Sequence, residues 1–431
     1  MHIRTSLPNS SPRCAGLAAV FWSLAIAAGS ALTLDEAIQT ALDHNPELRA
    51  ATDRIDAAAG RARQARRWSN PELNWSVEDW PMDGGGHGFS DAKQTMGLSQ
   101  TLPFLGKKRL DRQIGESGVR LSEAELGLRQ MELIRDAKVA FFQVLAAERV
   151  LAVSQDLTKL AESSVATAKK RAAAGAGTAQ EQLRAEITLE QARAEQSNFR
   201  REIATARQEL ALVMGRPDLV SAPLSGTLAE TADLNRFNRL PDEWVACHPS
   251  VLTAMAGKDR AELELRRARL DPYPDVKMAV AGGQVGETGT SILELNLGVP
   301  LPLLDRGKGR EQEAEANVRI AEADQVSAEH RLLRTLSAAN QRYRSAAEQV
   351  AKYREAILPK ANEALQLVQS GFEEGKFELI DLLDTQRTTA EARLTYQQKL
   401  LELNVAQAEI EALLGLASPS AAAAAKPRPA K

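Results

Sequence analysis

The sequence contains an internal duplication, and this feature constrains the fold more than any other. Landmarks recur in the same order at a spacing of roughly 200 residues. The recurring landmarks are Asn45-Pro46 with His248-Pro249, Leu102-Pro103 with Leu301-Pro302, and Gly175 with Gly375. Because this period is far longer than any solenoid repeat, it predicts two similar halves rather than an array of small units.

Each half has the same predicted order of elements: a helix, two short strands, one very long helix, a glycine break and a return helix. The apolar residues of the first long segment recur at spacings of three, four and seven, which places them on one face of a helix. They are Ile134, Ala137, Phe141, Val144 and Leu145. At 1.5 Å per residue, a helix of about 65 residues would reach roughly 100 Å.

The predicted helices cover most of each half. They span about 35–67, 107–171 and 178–214 in the first half, and about 310–369 and 377–414 in the second. Hydrophobic residues make up 44% of the chain but aromatics only 4%, so alanine and leucine supply most of the apolar surface. Narrow, alanine-rich stripes favour close antiparallel coiled-coil packing.

The N-terminus predicts export from the cytoplasm. Arg4 and Arg13 precede an apolar run that ends in small residues at Ala31, the pattern of a signal peptide over 1–31. Cys14 lies before this run, so no lipoprotein acylation site is recognised. The other predicted boundaries are a first repeat over 32–215, a linker over 216–240, a second repeat over 241–415 and a disordered tail over 416–431.

Four short segments between the helices alternate apolar and polar residues with a period of two. The predicted strands span about 71–80, 94–104, 274–282 and 290–302, close to the length of a tilted transmembrane strand. The same pattern fits hairpins of a soluble protein with one buried and one wet face. Export favours the membrane alternative, in which several copies of the chain would close a barrel, because an open sheet edge in lipid leaves backbone groups unpaired.

Composition and motifs argue against nucleic-acid binding and catalysis. With 54 basic against 57 acidic residues, the chain lacks the electrostatic footprint of a nucleic-acid-binding protein. The five histidines are scattered, and after signal removal Cys247 is the only cysteine, so no cluster has metal-ligand spacing. Gly84 to Gly88 are not followed by the Lys-Ser or Lys-Thr of a phosphate loop. We therefore expect no enzymatic activity, no resident metal and no cofactor.

Several motifs, taken in order and with their duplication, resemble the TolC-type outer-membrane efflux channel family over essentially the whole mature chain. They are Leu34-Asp35-Glu36-Ala37-Ile38 with Asn45-Pro46-Glu47-Leu48, the stretches 100–108 and 298–309, and Leu379-Ile380-Asp381-Leu382-Leu383-Asp384-Thr385-Gln386-Arg387. No single motif is decisive. Asn70-Pro71-Glu72-Leu73 and the stretch 300–306 are most similar to the branch that exports heavy-metal cations.

The resemblance implies a mainly α-helical protein with a small β part. Three copies would form a twelve-stranded transmembrane β-barrel that continues into a periplasmic α-helical coiled-coil barrel. The implied location is the outer membrane with a long periplasmic extension, and the implied partners are outer-membrane lipid, an inner-membrane efflux pump and a periplasmic adaptor protein.

The function implied by the resemblance is passive conduction of substrates in a tripartite efflux system, for this branch heavy-metal cations. Two alternatives stay open. One is an export channel for drugs, small organic molecules or peptides. The other is a periplasmic coiled-coil scaffold or adaptor, which would need only the helices.

Asp381 and Asp384 are the candidate gate residues. They lie three residues apart just beyond the second glycine break, so they share one helix face. They resemble the aspartates that line the periplasmic constriction of the family, and Glu181 occupies the duplicated position of Asp381. Carboxylates from three copies would then attract cations into a narrow lumen. Alternatively, both aspartates are first-turn acids favoured by the helix dipole, with Asp384 bonded to Arg387.

The two glycine breaks are the predicted contacts with the adaptor. These tip residues are Gly175, Gly177 and Thr178 in the first half, and Gly375, Lys376 and Phe377 in the second. Helix termination by glycine explains the same residues without any partner. Phe377 stands where the family can carry a basic latch residue, so a salt-bridge latch would be absent or rearranged in this chain.

Overall fold

The structure is a computed structural model that describes residues 31–79, 91–233 and 244–415. The predicted tail, all but the last residue of the predicted signal peptide, and part of the predicted linker lie outside these ranges. So do His87 and most of the connection between the first two strands. Within the described ranges the protein is mainly α-helical, with one small β-sheet.

The first half begins with two short helices and ends in a long helical hairpin. Its elements are α1 (Leu34–His44), α2 (Pro46–Arg66), β1 (Glu72–Glu78), β2 (Lys93–Leu102), α3 (Lys107–Ala173) and α4 (Ala179–Val213). A 3-10 turn over Pro217–Ser221 follows. The 67 residues of α3 make it the longest helix described.

The second half repeats this order. Its elements are α5 (Trp244–Cys247), α6 (Pro249–Ala268), β3 (Val276–Val285), β4 (Thr290–Gly298), α7 (Lys308–Lys352), α8 (Leu358–Glu373) and α9 (Leu379–Leu413). A π-helical turn over Tyr353–Ile357 joins α7 to α8, and together they form one long arm that packs against α9.

The prediction of a single helix over 35–67 is wrong, because the chain turns at Asn45. Pro46 disfavours helical geometry at the residue before it, so α1 ends there and α2 starts with proline at its first position. The Asn45 side chain caps α2 by accepting from the backbone N–H groups of Glu47 and Leu48. Its Nδ2 also donates to the Val213 carbonyl at 2.9 Å, which fixes the end of α4 against this turn.

The prediction of an uninterrupted helix over 310–369 is also wrong. Pro359 has no N–H, so it cannot donate the usual helical hydrogen bond to the carbonyl four residues earlier. The helix adopts the wider π turn just before this proline, at Tyr353–Ile357. The first half carries no proline at the corresponding place, and α3 stays regular there.

The four strands form one antiparallel sheet in the order β1-β2-β3-β4. The register places Trp75 opposite Met96, Met96 opposite Gly282, and Gly282 opposite Leu293. Each half therefore contributes one hairpin, and the two hairpins join through β2 and β3. β1 and β4 are the edges of the sheet, and neither edge pairs with another described strand.

The two helical hairpins pack side by side through α3 and α9. Their main core includes Phe141, Val144, Leu400 and Leu403, and it confirms the predicted apolar face of α3. A buried hydrogen bond of 2.7 Å from Gln386 Nε2 to Ser164 Oγ fixes the register of these two helices. Among the described residues, no helix combines the length and the apolar character that crossing a membrane requires.

Candidate functional site

In both hairpins, a glycine ends the helix that precedes the tip, which is α3 in the first hairpin and α8 in the second. Gly175 and Gly375 have φ of 74° and 79°, a left-handed conformation that costs glycine little. The N–H of Gly175 donates to Ala172 and the N–H of Gly375 to Phe372, at 3.1 Å in each tip. The structure therefore gives the two tips the same backbone turn.

Two of the predicted acidic residues, Glu181 and Asp381, lie in the first turn of the helix that follows each tip. Thr178 and Glu181 form a capping box at the start of α4, in which Glu181 Oε2 accepts from the Thr178 N–H at 3.3 Å. Asp381 does the same at the start of α9, where its Oδ2 accepts from the Glu378 N–H at 3.1 Å. Glu181 and Asp381 are thus equivalent residues of the two tips, and the helix dipole stabilises both carboxylates.

Asp384 has a different environment from Asp381. Its exposed side chain lines a groove of about 740 Å³ between α3, α4 and α9. The alternative expectation of a bond between Asp384 and Arg387 is wrong, because Arg387 pairs with Glu391 one turn further on, at 3.0 Å. No described side chain lies within hydrogen-bond distance of the Asp384 carboxylate, so this carboxylate faces the groove without a partner.

Arg171 joins the two tips, a role that no sequence pattern indicated. From the last turn of α3, its Nη1 donates to the Phe372 carbonyl of the other hairpin at 2.5 Å. The guanidinium also lies over the Phe372 ring, 4.7 Å from the ring centroid, a cation–π geometry. A third contact, from Nη2 to the Ala176 carbonyl, ties the same side chain to its own tip at 3.4 Å. We call these three contacts the Arg171 clasp.

Phe377 occupies space that a glycine in the facing helix leaves free. A Cβ on Gly371 would overlap the Phe377 ring, so only glycine fits beneath it. The first tip exchanges the two sizes: Arg171 stands at the position of Gly371, and Gly177 stands at the position of Phe377. Phe377 therefore packs against its own hairpin. The basic side chain that reaches from one tip to the other is Arg171, which belongs to the first repeat.

The remaining predicted tip residues are accessible. Gly177 is half-buried against Arg171 and Ala172. Lys376 is exposed and pairs with Glu374 at 2.5 Å. The second tip is thus charged on its surface, whereas Arg171 is the only charged residue of the first tip between 171 and 180.

The sheet has one apolar and one polar face. The apolar face carries the alternating residues that the sequence indicated, and all are well exposed: Leu73, Trp75, Met96, Leu98, Met278, Val280, Leu293, Leu295 and Leu297. Leu295 is 74% exposed and Trp75 is 64% exposed. No described element covers this face, so these side chains form a contiguous exposed apolar surface, a feature typical of interaction sites.

The polar face is joined across the strands by ion pairs. Lys277 of β3 pairs with Glu72 of β1 at 3.0 Å, and Lys93 of β2 pairs with both Glu78 and Glu294. A hydrogen bond of 2.7 Å between the hydroxyls of Ser76 and Thr95 adds to this network. These contacts hold all four strands together from the polar side.

Two glycines let the sheet bend toward its polar face. A Cβ on Gly97 would lie 2.5 Å from the Ala281 Cβ, and one on Gly283 would overlap the Gln94 carbonyl. Glycine at such close approaches permits a tight bend of a sheet. Thr95 and Ser99, both on this face, are buried even though no second layer of described elements covers them. The polar face is therefore concave.

Potential metal-ligating side chains are dispersed over the described part of the chain. In the described part of the chain, no three His, Cys, Asp or Glu side chains are placed to hold a metal ion. Cys247 is a free, exposed thiol. His248 caps α6, where its Nδ1 accepts from the Ser250 N–H at 3.2 Å, and burial lowers its pKa.

The structure combines two long helical hairpins with a four-stranded sheet whose two outer edges pair with no described strand. The sequence of the chain matches a known family. The profile described as outer membrane efflux protein matches residues 37–216 and 240–416. The chain belongs to the outer membrane efflux protein family, which confirms the predicted TolC-type membership. Members of this family are efflux channels rather than enzymes.

Two relatives and one solved structure are similar to this chain over most of its length. The cobalt-zinc-cadmium resistance protein CzcC of Cupriavidus metallidurans is 26% identical over 390 residues, 90% of this chain and 91% of CzcC. The nickel-cobalt-cadmium resistance protein NccC of Alcaligenes xylosoxydans xylosoxydans is 23% identical over 346 residues, 80% of this chain and 76% of NccC. A crystal structure of CusC shares the fold, with a TM-score of 0.76 over 88% of this chain and 91% of CusC at 17% identity.

Proposed function

We propose that three copies of the chain form an outer-membrane duct that passively conducts heavy-metal cations out of the cell. The observation that carries the proposal is the exposed apolar face of the sheet, backed by a concave, ion-paired polar face. This arrangement fits a wall between lipid and water, with lipid outside and water inside. Family membership supports the location in the outer membrane.

Closure of the sheet requires more than one copy. The outer edges of β1 and β4 pair with no described strand, and an open edge in lipid costs several kcal/mol for each unsatisfied backbone group. Four strands are too few to close a cylinder, whereas three copies supply twelve. The bend at Gly97 and Gly283 curves the sheet in the direction that such a cylinder needs.

The helices at the two sides of the helical hairpins expose apolar residues. α3 and α9 meet in the middle of the protomer, so α4 and α8 are left at its two sides. Leu183 and Ile187 of α4 are each 59% exposed, and Leu367 of α8 is also exposed. A heterologous contact between these two sides closes into a ring when the rotation per copy is one third of a turn. The periplasmic part would then be a helical barrel.

The tips would form the periplasmic entrance of this barrel. A ring of three copies gathers Glu181, Asp381 and Asp384 at one end of the lumen, where their charges favour cations. The exposed tip residues Gly175 and Lys376, with the half-buried Phe377, would meet a periplasmic adaptor protein that connects the duct to an inner-membrane pump. The duct itself has no energy source, so opening depends on these partners.

The substrate class follows from the relatives that carry metal names. CzcC and NccC are resistance proteins for cobalt, cadmium and zinc or nickel, and both cover most of this chain. The test is growth on these cations after deletion of the gene, with complementation by the wild-type chain. We expect lower tolerance to cobalt, zinc or cadmium in the deletion strain. Unchanged metal tolerance with sensitivity to organic compounds would support the alternative of a drug or small-molecule channel.

The assembly has its own test. Detergent extraction and native mass spectrometry should give a particle of three protomers whose electrophoretic migration changes on heating. Release with the soluble periplasmic contents as a monomer would contradict the duct.

A further inference from the structure

Two loops at the helix-side end of the sheet expose leucines. The loop 103–106 joins β2 to α3, and the loop 299–307 joins β4 to α7. The exposed leucines are Leu105, Leu301, Leu303 and Leu304. Leu304 is fully exposed and Leu105 is 88% exposed. Clustered apolar side chains on neighbouring loops indicate a contact surface rather than ordinary solvent exposure.

Cationic side chains without internal partners surround these loops. Lys108 and Arg109 lie in the first turn of α3, Arg306 and Lys308 flank the start of α7, and Arg67 follows α2. No described side chain forms an ion pair or hydrogen bond with any of these five side chains. We call the five cations and the four leucines the collar.

Other basic residues at the same end are paired within the chain. Lys107 contacts Asp275 at 2.9 Å, Arg66 contacts Glu116 at 2.6 Å, and Arg267 contacts Asp111 at 2.8 Å. These three acids, Asp275, Glu116 and Asp111, are therefore already paired. The positive charge of the collar remains available to an external anion.

The helix dipole makes the collar cations unfavourable in isolation. The first turn of a helix carries partial positive charge, so cations such as Lys108 and Arg109 are destabilising there. α3 has no acidic residue in its first turn to offset them. An anion outside the protein would turn this unfavourable arrangement into an attractive one.

We propose that the collar binds the phosphate headgroups of anionic phospholipids, with its leucines in the acyl region of the same leaflet. This inference rests on the proposed membrane role of the sheet, because the collar continues the apolar face at its helix-side end. The leaflet is therefore the one that faces the periplasm. Trp68, which is 58% exposed beside Arg67, has the amphipathic character of tryptophans at such interfaces.

Lipid retention by the full mature chain in detergent tests the proposal. The protein is mixed with equal amounts of phosphatidylglycerol and phosphatidylcholine, separated by size exclusion, and its retained lipids are counted. We expect enrichment of phosphatidylglycerol over phosphatidylcholine. Replacement of Lys108, Arg109, Arg306 and Lys308 by Gln should lower this enrichment roughly tenfold, because each basic residue at an anionic surface adds to the attraction.

The matched control removes four exposed cations that lie on the hairpins away from the sheet. It carries Lys170→Gln, Arg184→Gln, Arg200→Gln and Arg334→Gln, and it should keep the enrichment of the wild type. A second variant, Leu303→Ser with Leu304→Ser, should retain less of both lipids at an unchanged ratio. Unaltered total retention in this variant would overturn the leucine part of the proposal.

The outcomes separate the collar from the duct. Equal retention of both lipids by a wild-type protein that still needs detergent would overturn the collar and leave the duct standing. A protein that stays monodisperse without detergent would overturn the duct and the collar together. Loss of the trimer with intact enrichment in the Gln variant would show that the collar is a contact between copies, and would also overturn the proposal.

Discussion

The two hairpin tips share one backbone and differ in the side chains that project from it. Each descending helix ends at a glycine with positive φ, and each ascending helix starts with a capping box whose acid is its third residue. The duplication has therefore kept the turn geometry. What changed between the repeats is where each tip places its bulk and its charge.

The two tips place their large side chain on opposite sides of the turn. The first tip has Arg171 before the turn and Gly177 after it, while the second has Gly371 before and Phe377 after. The large group fills the space beside the small one in both cases. The difference teaches that packing limits the pair of positions together rather than either position alone.

Charge is distributed just as unevenly. The second tip exposes Glu374, Lys376 and Glu378, whereas the first is mostly alanine and glycine and directs its one cation, Arg171, into the other hairpin. In a ring of copies, small neutral tips would alternate with charged ones. The following predictions test whether the two tips have separate roles.

The largest effect is expected from Arg171→Ala, which removes the Arg171 clasp between the tips. The lost charged hydrogen bond and the lost cation–π contact are worth roughly 2 kcal/mol together. The tips should separate, and single-channel conductance in planar bilayers should rise severalfold. Lys170→Ala, one residue earlier and exposed, is the matched control and should leave conductance unchanged. Equal conductance of both variants would show that the clasp does not hold the tips.

The next largest effect tests the packing of the Phe377 ring against Gly371 in the second tip. Gly371→Ala places a methyl group against the Phe377 ring and should destabilise the second tip by about 1–3 kcal/mol, the usual cost of overpacking. Hydrogen exchange of the tip amides measures this loss. Adding Phe377→Gly should restore protection, since it recreates the arrangement of sizes that the first tip tolerates at Gly177. Strictly additive effects of the two changes would argue against direct packing.

A smaller effect is expected from the acidic ring. Asp381→Asn with Asp384→Asn should weaken block of the channel current by divalent cations roughly tenfold, since a charge pair near 4 Å is worth about 1 kcal/mol even in water. Asparagine at position 381 can still accept from the Glu378 N–H through its Oδ1, so the start of α9 and the fold should persist. Glu195→Gln is the control, because Glu195 lines the same groove further along the chain from the tip. Unchanged block in the double variant would remove both aspartates from the constriction.

The smallest effect concerns the helix caps at the other end of the repeats. Asn45 caps α2, whereas His248 caps α6 through an unprotonated Nδ1 and is 4% exposed. Burial lowers the His248 pKa below its ordinary 6.5, so the unfolded chain takes up the proton first as pH falls. This contribution to stability is complete above pH 6.5 and declines below it. His248→Asn should flatten thermal stability across this range, and an unchanged pH profile would contradict the assignment.

Periodicity predicted the larger features of the fold. The period of two in Leu293, Leu295 and Leu297 indicated β4 and its apolar face, and helical spacing around Phe141 indicated the buried side of α3. These are local patterns, and a single sequence shows them directly. The breaks at Asn45 and Tyr353 were missed because the helical pattern continues across each of them. Pro46 follows the first break directly, and Pro359 lies two residues beyond the π turn, so each break has a proline as its sequence signal.

The candidate site was less accessible to sequence reasoning. Glu181 and Asp381 could be paired through the duplication, because equivalence is a property of the alignment of the two halves. The Arg171 clasp depends on how two hairpins pack, and its partner Phe372 lies far away along the chain. The exposed collar at Leu304 was likewise invisible, since no local pattern shows that neighbouring acids are already paired.

The central claim is that one face of the sheet meets lipid and the other meets water, and cysteine labelling along β4 tests it most directly. Single cysteines at positions 292 to 297 would be introduced with Cys247→Ser and labelled in intact membranes. The account predicts that Leu293, Leu295 and Leu297 sites react only with a lipid-soluble reagent, and that Ile292, Glu294 and Asn296 sites react with a water-soluble one. Uniform reaction of all six positions with the water-soluble reagent would contradict the account.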